Sequence, residues 1–276
     1  MDRARRQSVT GHDPHEAGYT AIVIAGKRPG TDPVAAARGQ TYKALVEIHG
    51  QAMIARVLDA LSQAPAIARI VLVTEDAIGP LDAIPGVAEA KTRLPVERVR
   101  AAPTISASVC AAIEARENDP RFLIATADHP LLTKDMVNDF LDRSQGKPGV
   151  SIALVARETI EDAYPQMQRT YLKFRGAEVS GANLFAINDR SGLNAVRFWE
   201  KVEANRKRPW KLAAAFGPLN LIGFALKLFS IDTAFRRAGK IVRCPAHAIL
   251  LPYANAAIDV DKPSDLEQVE AILAAR

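Results

Sequence analysis

Short apolar runs alternate with helical stripes along most of the chain. "TAIVIAG" (20–26), "ARIVLVTED" (68–76), "RFLIATAD" (121–128) and "GVSIALVAR" (149–157) are continuous apolar runs bounded by polar residues. That pattern predicts strands buried on both faces, as in a parallel sheet. Between them, "QAMIARVLDALSQA" (51–64) puts Met53, Ile54, Val57, Leu58 and Leu61 on one helical face. "ISASVCAAIEARE" (105–117) and "TKDMVNDFLDRS" (133–144) read as further helices, the second with Thr133 at its N-cap. This alternation predicts an α/β fold, a Rossmann-like, mostly parallel central sheet flanked by helices. Ligands of such sheets bind at the carboxyl ends of the strands.

The middle of the chain changes character. "RTYLKFRGAEVSGANLFAIN" (169–188) predicts two strands joined at "RGAE", and "GLNAVRFWEKVEANRKR" (192–208) a helix. The stretch 212–230 is apolar almost all round, with a narrow stripe of Asn220, Gly223, Lys227 and Ser230. Its length is marginal against the roughly 20 residues a bilayer span needs. It reads as a buried helix, a homodimer interface or a helix lying at a membrane surface. Near the end, "AAIDV" predicts a strand, and "KPSDLEQVEAILAA" a helix with Pro and acids in its first turn. The expected organisation is a flexible N-terminal tail over 1–18 and one domain over 19–276, with a helical elaboration at about 189–245.

Charge sharpens this picture. The net charge is +5, yet residues 206–243 hold nine Lys or Arg and one acid, so the excess is local. A local basic patch suits an anionic substrate or a membrane surface better than nucleic acid. Cys110 and Cys244 lack metal-ligand spacing and imply a reducing compartment. The polar N-terminus lacks the apolar core of a signal peptide, and His12 and His15 within it read as solvated. A cytoplasmic protein, or one peripheral to the inner membrane face, is expected.

Four features could converge at one sheet edge. The loop "AGKRPGTDP" (25–33) follows the first strand; its glycines allow backbone N–H groups to approach phosphate, and Lys27 and Arg28 add charge. Lys43 lies in "GQTYKALVEIHGQAMI", and Asp128 closes "LIATAD". Asp259 and Asp261, two apart in "IDVD", would share a face on a strand and could point at one ion. Carboxylates from different strand ends suit a hard cation such as Mg²⁺, with substrate phosphates completing its shell. A lysine opposite would neutralise phosphate charge. No Ser/His/Asp or Cys/His arrangement stands out.

At these residues the chain resembles the nucleotidyltransferases of the glycosyltransferase-A type, and among them the molybdenum cofactor guanylyltransferase-like (MobA-like) NTP transferases. "AIVIAGKRPG" resembles the family's opening strand and glycine-rich NTP loop, "KALVEIHGQAMIARVLDAL" its lysine motif, "TADHPLL" its metal-binding aspartate motif and "AIDVDKPSDLEQV" its closing motif. The resemblance implies the nucleotide-diphospho-sugar transferase fold and transfer of an NMP from GTP or CTP to a phosphorylated small molecule, with Mg²⁺ or Mn²⁺. It implies Lys43 and Asp128 as catalytic; Ala25, Gly26, Lys27, Arg28, Gly30, Lys43, Ser106 and Ser108 as nucleotide-binding; Asp128 with Asp261 or Asp259 as metal ligands; and Asn183 as acceptor-binding. Lys27 stands where the family usually has a second glycine, and the family's loop arginine falls near Thr31. Two rival readings are a glycosyltransferase of the same fold and a catalytically degenerate nucleotide-binding protein at a membrane surface. "ADHP" lacks the second acid of an Asp-x-Asp motif, which counts against the first.

Overall fold

In the computed structural model of the protein, residues 18–27, 30–204, 217, 223 and 225–275 are described. The expected tail except Gly18, Arg28 of the glycine loop, and most of the apolar segment 212–230 lie outside them. Among the described residues, ten strands are β1 (Tyr19–Ile24), β2 (Glu47–Ile48), β3 (Gln51–Ala52), β4 (Ile67–Thr74), β5 (Val96–Arg100), β6 (Phe122–Thr126), β7 (Val150–Ala156), β8 (Leu172–Phe174), β9 (Ala177–Ile187) and β10 (Ala246–Leu250). Eight form one sheet in the order β10-β7-β9-β6-β1-β4-β5, with β8 on β9; β2 and β3 pair separately. β1 lies between β4 and β6, parallel to both. β9 runs against its three neighbours, so the sheet is mixed but mostly parallel.

The α-helices given among the described residues are α1 (Pro33–Ala37), α2 (Met53–Ser62), α3 (Val87–Lys91), α4 (Ile105–Glu114), α5 (Lys134–Ser144), α6 (Arg157–Ala163), α7 (Leu193–Ala204), α8 (Ile231–Val242) and α9 (Pro263–Ala274). They cover both faces of the sheet. Ala21 and Val23 of β1 pack with α2 and α5, whereas Ile22 packs with α4 and α7 on the other face. This is the period of two that an extended chain imposes. The five apolar residues predicted on one face of α2 are all fully buried. Thr133 caps α5 by accepting from Met136 N. Among the described residues no helix is long and apolar enough to cross a membrane.

Two strands of the large sheet escaped the sequence pattern. β5 and β10 are the sheet's edges, and each has exposed and half-buried positions in place of a continuous apolar run. In the opposite sense, "AAIDV" is no strand. Ala254–Ala257 form a 3₁₀ turn, and the chain then runs extended outside the sheet. Its Val260 N donates to Asp128 O at 2.9 Å. Ile258 and Val260 are buried beside Leu131 and Leu266, which anchors the segment against the end of β6 and the start of α9.

Candidate active site

Lys43 begins a 3₁₀ turn, Lys43–Leu45, after the loop that follows α1. Its Nζ donates to Asp128 Oδ2 at 2.5 Å, Val260 O at 2.9 Å and Asp261 Oδ1 at 3.3 Å. One ammonium thus joins the carboxyl end of β6 to the segment before α9. The Lys43 side chain is 19% exposed, Asp128 17% and Asp261 62%. Burial alone would lower the lysine pKa. The charge and hydrogen bond of Asp128, then those of Asp261, outweigh it and hold the pKa above the ordinary lysine value. Lys43 is therefore a fixed cation near neutral pH and cannot act there as a base.

A cavity of about 290 Å³ opens above this cluster, at the carboxyl ends of β1 and β6. Gly26, Lys27 and Gly30 of the glycine loop line one side, and Lys43, Asp128 and Asp261 line another. Ala25 lines it too. Gly30 has φ +102°, a conformation that favours glycine. At Gly26 an added Cβ would sit 3.1 Å from Ala101 Cβ and 3.4 Å from Glu75 Oε1. Lys27 N donates to Glu75 Oε1 at 2.8 Å. Glu75, at the carboxyl end of β4, thus fastens the loop; sequence reasoning missed it, although an acid directly after a buried strand was a usable signal. Asp32 lines the cavity and caps α1 through Val34 N and Ala35 N. A larger cavity, about 540 Å³, lies between α8 and β10. It contains none of these carboxylates, so the smaller one is the candidate site.

Three expected residues are placed elsewhere. Ser106 is fully buried, and its N and Oγ donate to Glu203 Oε2 of α7 at 3.0 and 2.5 Å. Ser108 Oγ accepts from Ala102 N at 2.9 Å and lies 3.3 Å from Ala102 O. Neither serine lines the cavity; the turn into α4 presents Ile105 to it instead. Both hydroxyls face inward, where they fasten α4, and not into the cavity.

Asp259 also points away from Asp261. Its Oδ1 accepts from Arg169 Nη2 at 2.5 Å and its Oδ2 from Asn183 Nδ2 at 2.7 Å. Burial would raise its pKa, but the Arg169 hydrogen bond and charge hold it below the ordinary aspartate value. The divergence follows from the missing strand, since the shared face expected of Asp259 and Asp261 required regular pleating. Arg169 was another omission, for its signal is only a lone arginine before "TYLKF". His129 is buried with Nε2 3.3 Å from Asn255 O, and burial pushes its pKa down.

The donor set fits a hard divalent cation. Asp128 Oδ1 is buried with no hydrogen-bond partner, while Oδ2 is held by Lys43. Asp261 adds a second, exposed carboxylate at the same ammonium. Among the described residues no group of three or more His, Cys, Asp or Glu side chains gathers. Two carboxylates, with water and phosphate oxygens, match Mg²⁺, which keeps part of its hydration when bound.

Comparison with known proteins gives the family. The chain belongs to the MobA-like NTP transferase domain family, whose model matches residues 21–181. By class it is a nucleotidyltransferase. The match takes in the glycine loop, Lys43 and Asp128, while Asp259 and Asp261 lie beyond it. The chain is similar to a solved hypothetical transferase from Thermus thermophilus, with 29% identity, 90% of this chain and 99% of that chain covered, and a TM-score of 0.74. Two more distant structures share the fold. One is a CMP:2-keto-3-deoxy-manno-octonic acid synthetase complexed with CTP, at 16% identity, 94% and 99% coverage and TM-score 0.54. The other is a 4-diphosphocytidyl-2C-methyl-D-erythritol synthase from Anaerococcus prevotii, at 15% identity, 94% and 99% coverage and TM-score 0.56. No curated protein matches the chain.

Proposed function

We propose that the protein transfers an NMP from GTP or CTP to a phosphorylated small-molecule acceptor and releases pyrophosphate. Residues 19–276 would form the transferase as one domain. The observation that carries the reading is the Lys43 ammonium bridging Asp128, Val260 O and Asp261 at the cavity under the glycine loop.

The glycine loop, with Gly26 and Gly30, cradles the triphosphate through backbone N–H groups. An acceptor phosphate monoester is already anionic, so its oxygen attacks the α-phosphorus without a strong general base. Lys43 remains protonated and steadies the negative charge that builds on the phosphates, a charge-stabilising role in a partly desolvated site. Asp128 and Asp261 hold Lys43 in place and present the carboxylate oxygens to which Mg²⁺ or Mn²⁺ would bind. When bound, the ion supplies Lewis acidity and a template for the phosphates. Acceptor attack forms the new P–O bond as the bond to pyrophosphate breaks, so no covalent enzyme intermediate is needed.

The test is pyrophosphate release from each of the four NTPs with Mg²⁺ and a panel of phosphorylated acceptors, with Asp128→Ala as control. Release that needs one NTP, one acceptor and Asp128 supports the reading. Failure of every NTP to bind overturns it.

A further inference from the structure

Asp259 marks a second polar cluster one peptide away from the Lys43 site. Its partner Arg169 is 15% exposed, and Asp259 is 17% exposed. Among the described residues the guanidinium makes one hydrogen bond, to Asp259. A guanidinium has five N–H donors in a planar fork, so most of its donors are left to solvent or ligand. Asp259 fixes one edge of the plane, much as carboxylates orient the residues that touch a bound ion.

Two further observations at the same place point to a ligand. Tyr171, two residues from Arg169, has a buried hydroxyl with no hydrogen-bond partner. Burial, then the charge of Glu161, raises the pKa of that phenol against the opposing charges of Arg157 and Arg169, and the Arg157 guanidinium lies 5.3 Å from the ring centroid. Arg157 itself is engaged by Glu161 and Glu178, which leaves Arg169 as the cation with donors to offer. Asn183, which donates to the other oxygen of Asp259, has φ +51° within β9. Across from it the β7–β9 register breaks between Ile152 and Leu154. A bulge of this kind turns a side chain away from the regular pleat, and its persistence indicates a use for the new direction.

We infer that Arg169, with the hydroxyl of Tyr171 two residues further along the chain, recognises the phosphate of the acceptor and so determines which acceptors react. This assignment deepens the nucleotidyltransferase reading and rests on it. A planar guanidinium selects phosphate by paired N–H···O bonds, which a lysine ammonium cannot reproduce. The role is therefore specific to arginine and separates Arg169 from a mere counter-ion of Asp259.

The experiment is calorimetric titration of the full chain with phenyl phosphate and inorganic phosphate, pyrophosphate being present at saturation to fill the Lys43 cavity. Acetate serves as the carboxylate control, and NTP binding is measured separately. Arg169→Lys keeps the charge and the ion pair. It is expected to weaken phenyl phosphate binding by about tenfold or more while pyrophosphate and NTP binding stay unchanged. Tyr171→Phe is expected to lose about threefold, as for one hydroxyl hydrogen bond. The inference is overturned by absence of phenyl phosphate binding to the wild type, or by equal binding in Arg169→Lys. It is also overturned by parallel loss of phosphate and pyrophosphate binding, or by acetate binding as tightly as phosphate. Arg169-dependent phosphate binding without any NTP binding would sink the nucleotidyltransferase reading and leave this site standing.

Discussion

The Lys43 ammonium lies 2.5 Å from Asp128 Oδ2, and the other oxygen of that carboxylate is buried without a partner. Leaving a buried carboxylate oxygen unpaired carries a desolvation cost of about 1–3 kcal/mol or more. A cation at Oδ1 removes that cost, which is why this ion pair reads as half of a phosphate-handling centre.

Replacing Lys43 by alanine removes the cation but leaves the neighbouring backbone unchanged. The side chain is partly exposed and its turn is held by backbone bonds to Tyr42 O and Lys43 O. The expected result is a folded protein whose pyrophosphate release falls about a hundredfold or more, the scale of one lost charge-stabilising donor. Circular dichroism checks the fold and a coupled phosphate assay the rate. Near-normal turnover in Lys43→Ala would take Lys43 out of the mechanism.

Asp128 and Asp261 differ in burial, and their variants are expected to differ accordingly. Asp128→Asn keeps shape while removing the charge facing Lys43, so activity is expected to fall about a hundredfold or more and the Mg²⁺ requirement to rise steeply. Asp261 is 62% exposed and lies 3.3 Å from Lys43, so Asp261→Asn is expected to cost about tenfold, part of it recovered at high Mg²⁺. Mg²⁺ titrations of both variants give the comparison. Equal sensitivity of the two would show that exposure does not grade their roles.

Much of this was legible in the chain. Central strands announce themselves as apolar runs because both faces are covered, and Asp128 stands just past such a run; Lys43 adjoins none and stood out through the resemblance of "KALVEIHGQAMIARVLDAL". Edge strands β5 and β10 lack that signature. The divergence of Asp259 from Asp261 depends on a 3₁₀ turn and on Arg169, which is 90 residues away in sequence. The inward aim of Ser106 depends on Glu203, which is 97 residues away. Local pattern carries no information about either partner. The glycine loop is another case: its composition suggested phosphate, but the Glu75 anchor arrives from the neighbouring strand.

Ser106 supplies a direct check of that reading. If it fastens α4 to α7, Ser106→Ala breaks a buried hydrogen bond and leaves the Glu203 carboxylate with the backbone N–H of the same residue. The expected cost is about 1–3 kcal/mol of stability, measured by urea unfolding, with the KM for NTP unchanged. A raised KM at unchanged stability would return Ser106 to the nucleotide.

Acid sensitivity follows from Asp189, which caps the turn before α7. Its carboxylate accepts from Ser191 N and Oγ at 2.8 and 2.6 Å and from Gly149 N at 3.0 Å. Burial works to raise its pKa, but the Ser191 hydroxyl and the backbone N–H groups of Gly149, Ser191 and Gly192 hold it below the ordinary value of 3.8. A carboxyl with a depressed folded-state pKa binds its proton more readily in the unfolded chain, so stability falls as pH drops. The contribution is fully present above the unfolded value and is lost as pH falls through the lower, folded one. Asp189→Ala is expected to lower stability by about 1 kcal/mol at pH 7, the usual cost of a lost cap. Measured by denaturant unfolding, the gap between wild type and variant narrows below pH 4. A gap that stays constant down to the acid transition would assign the loss to packing instead of charge.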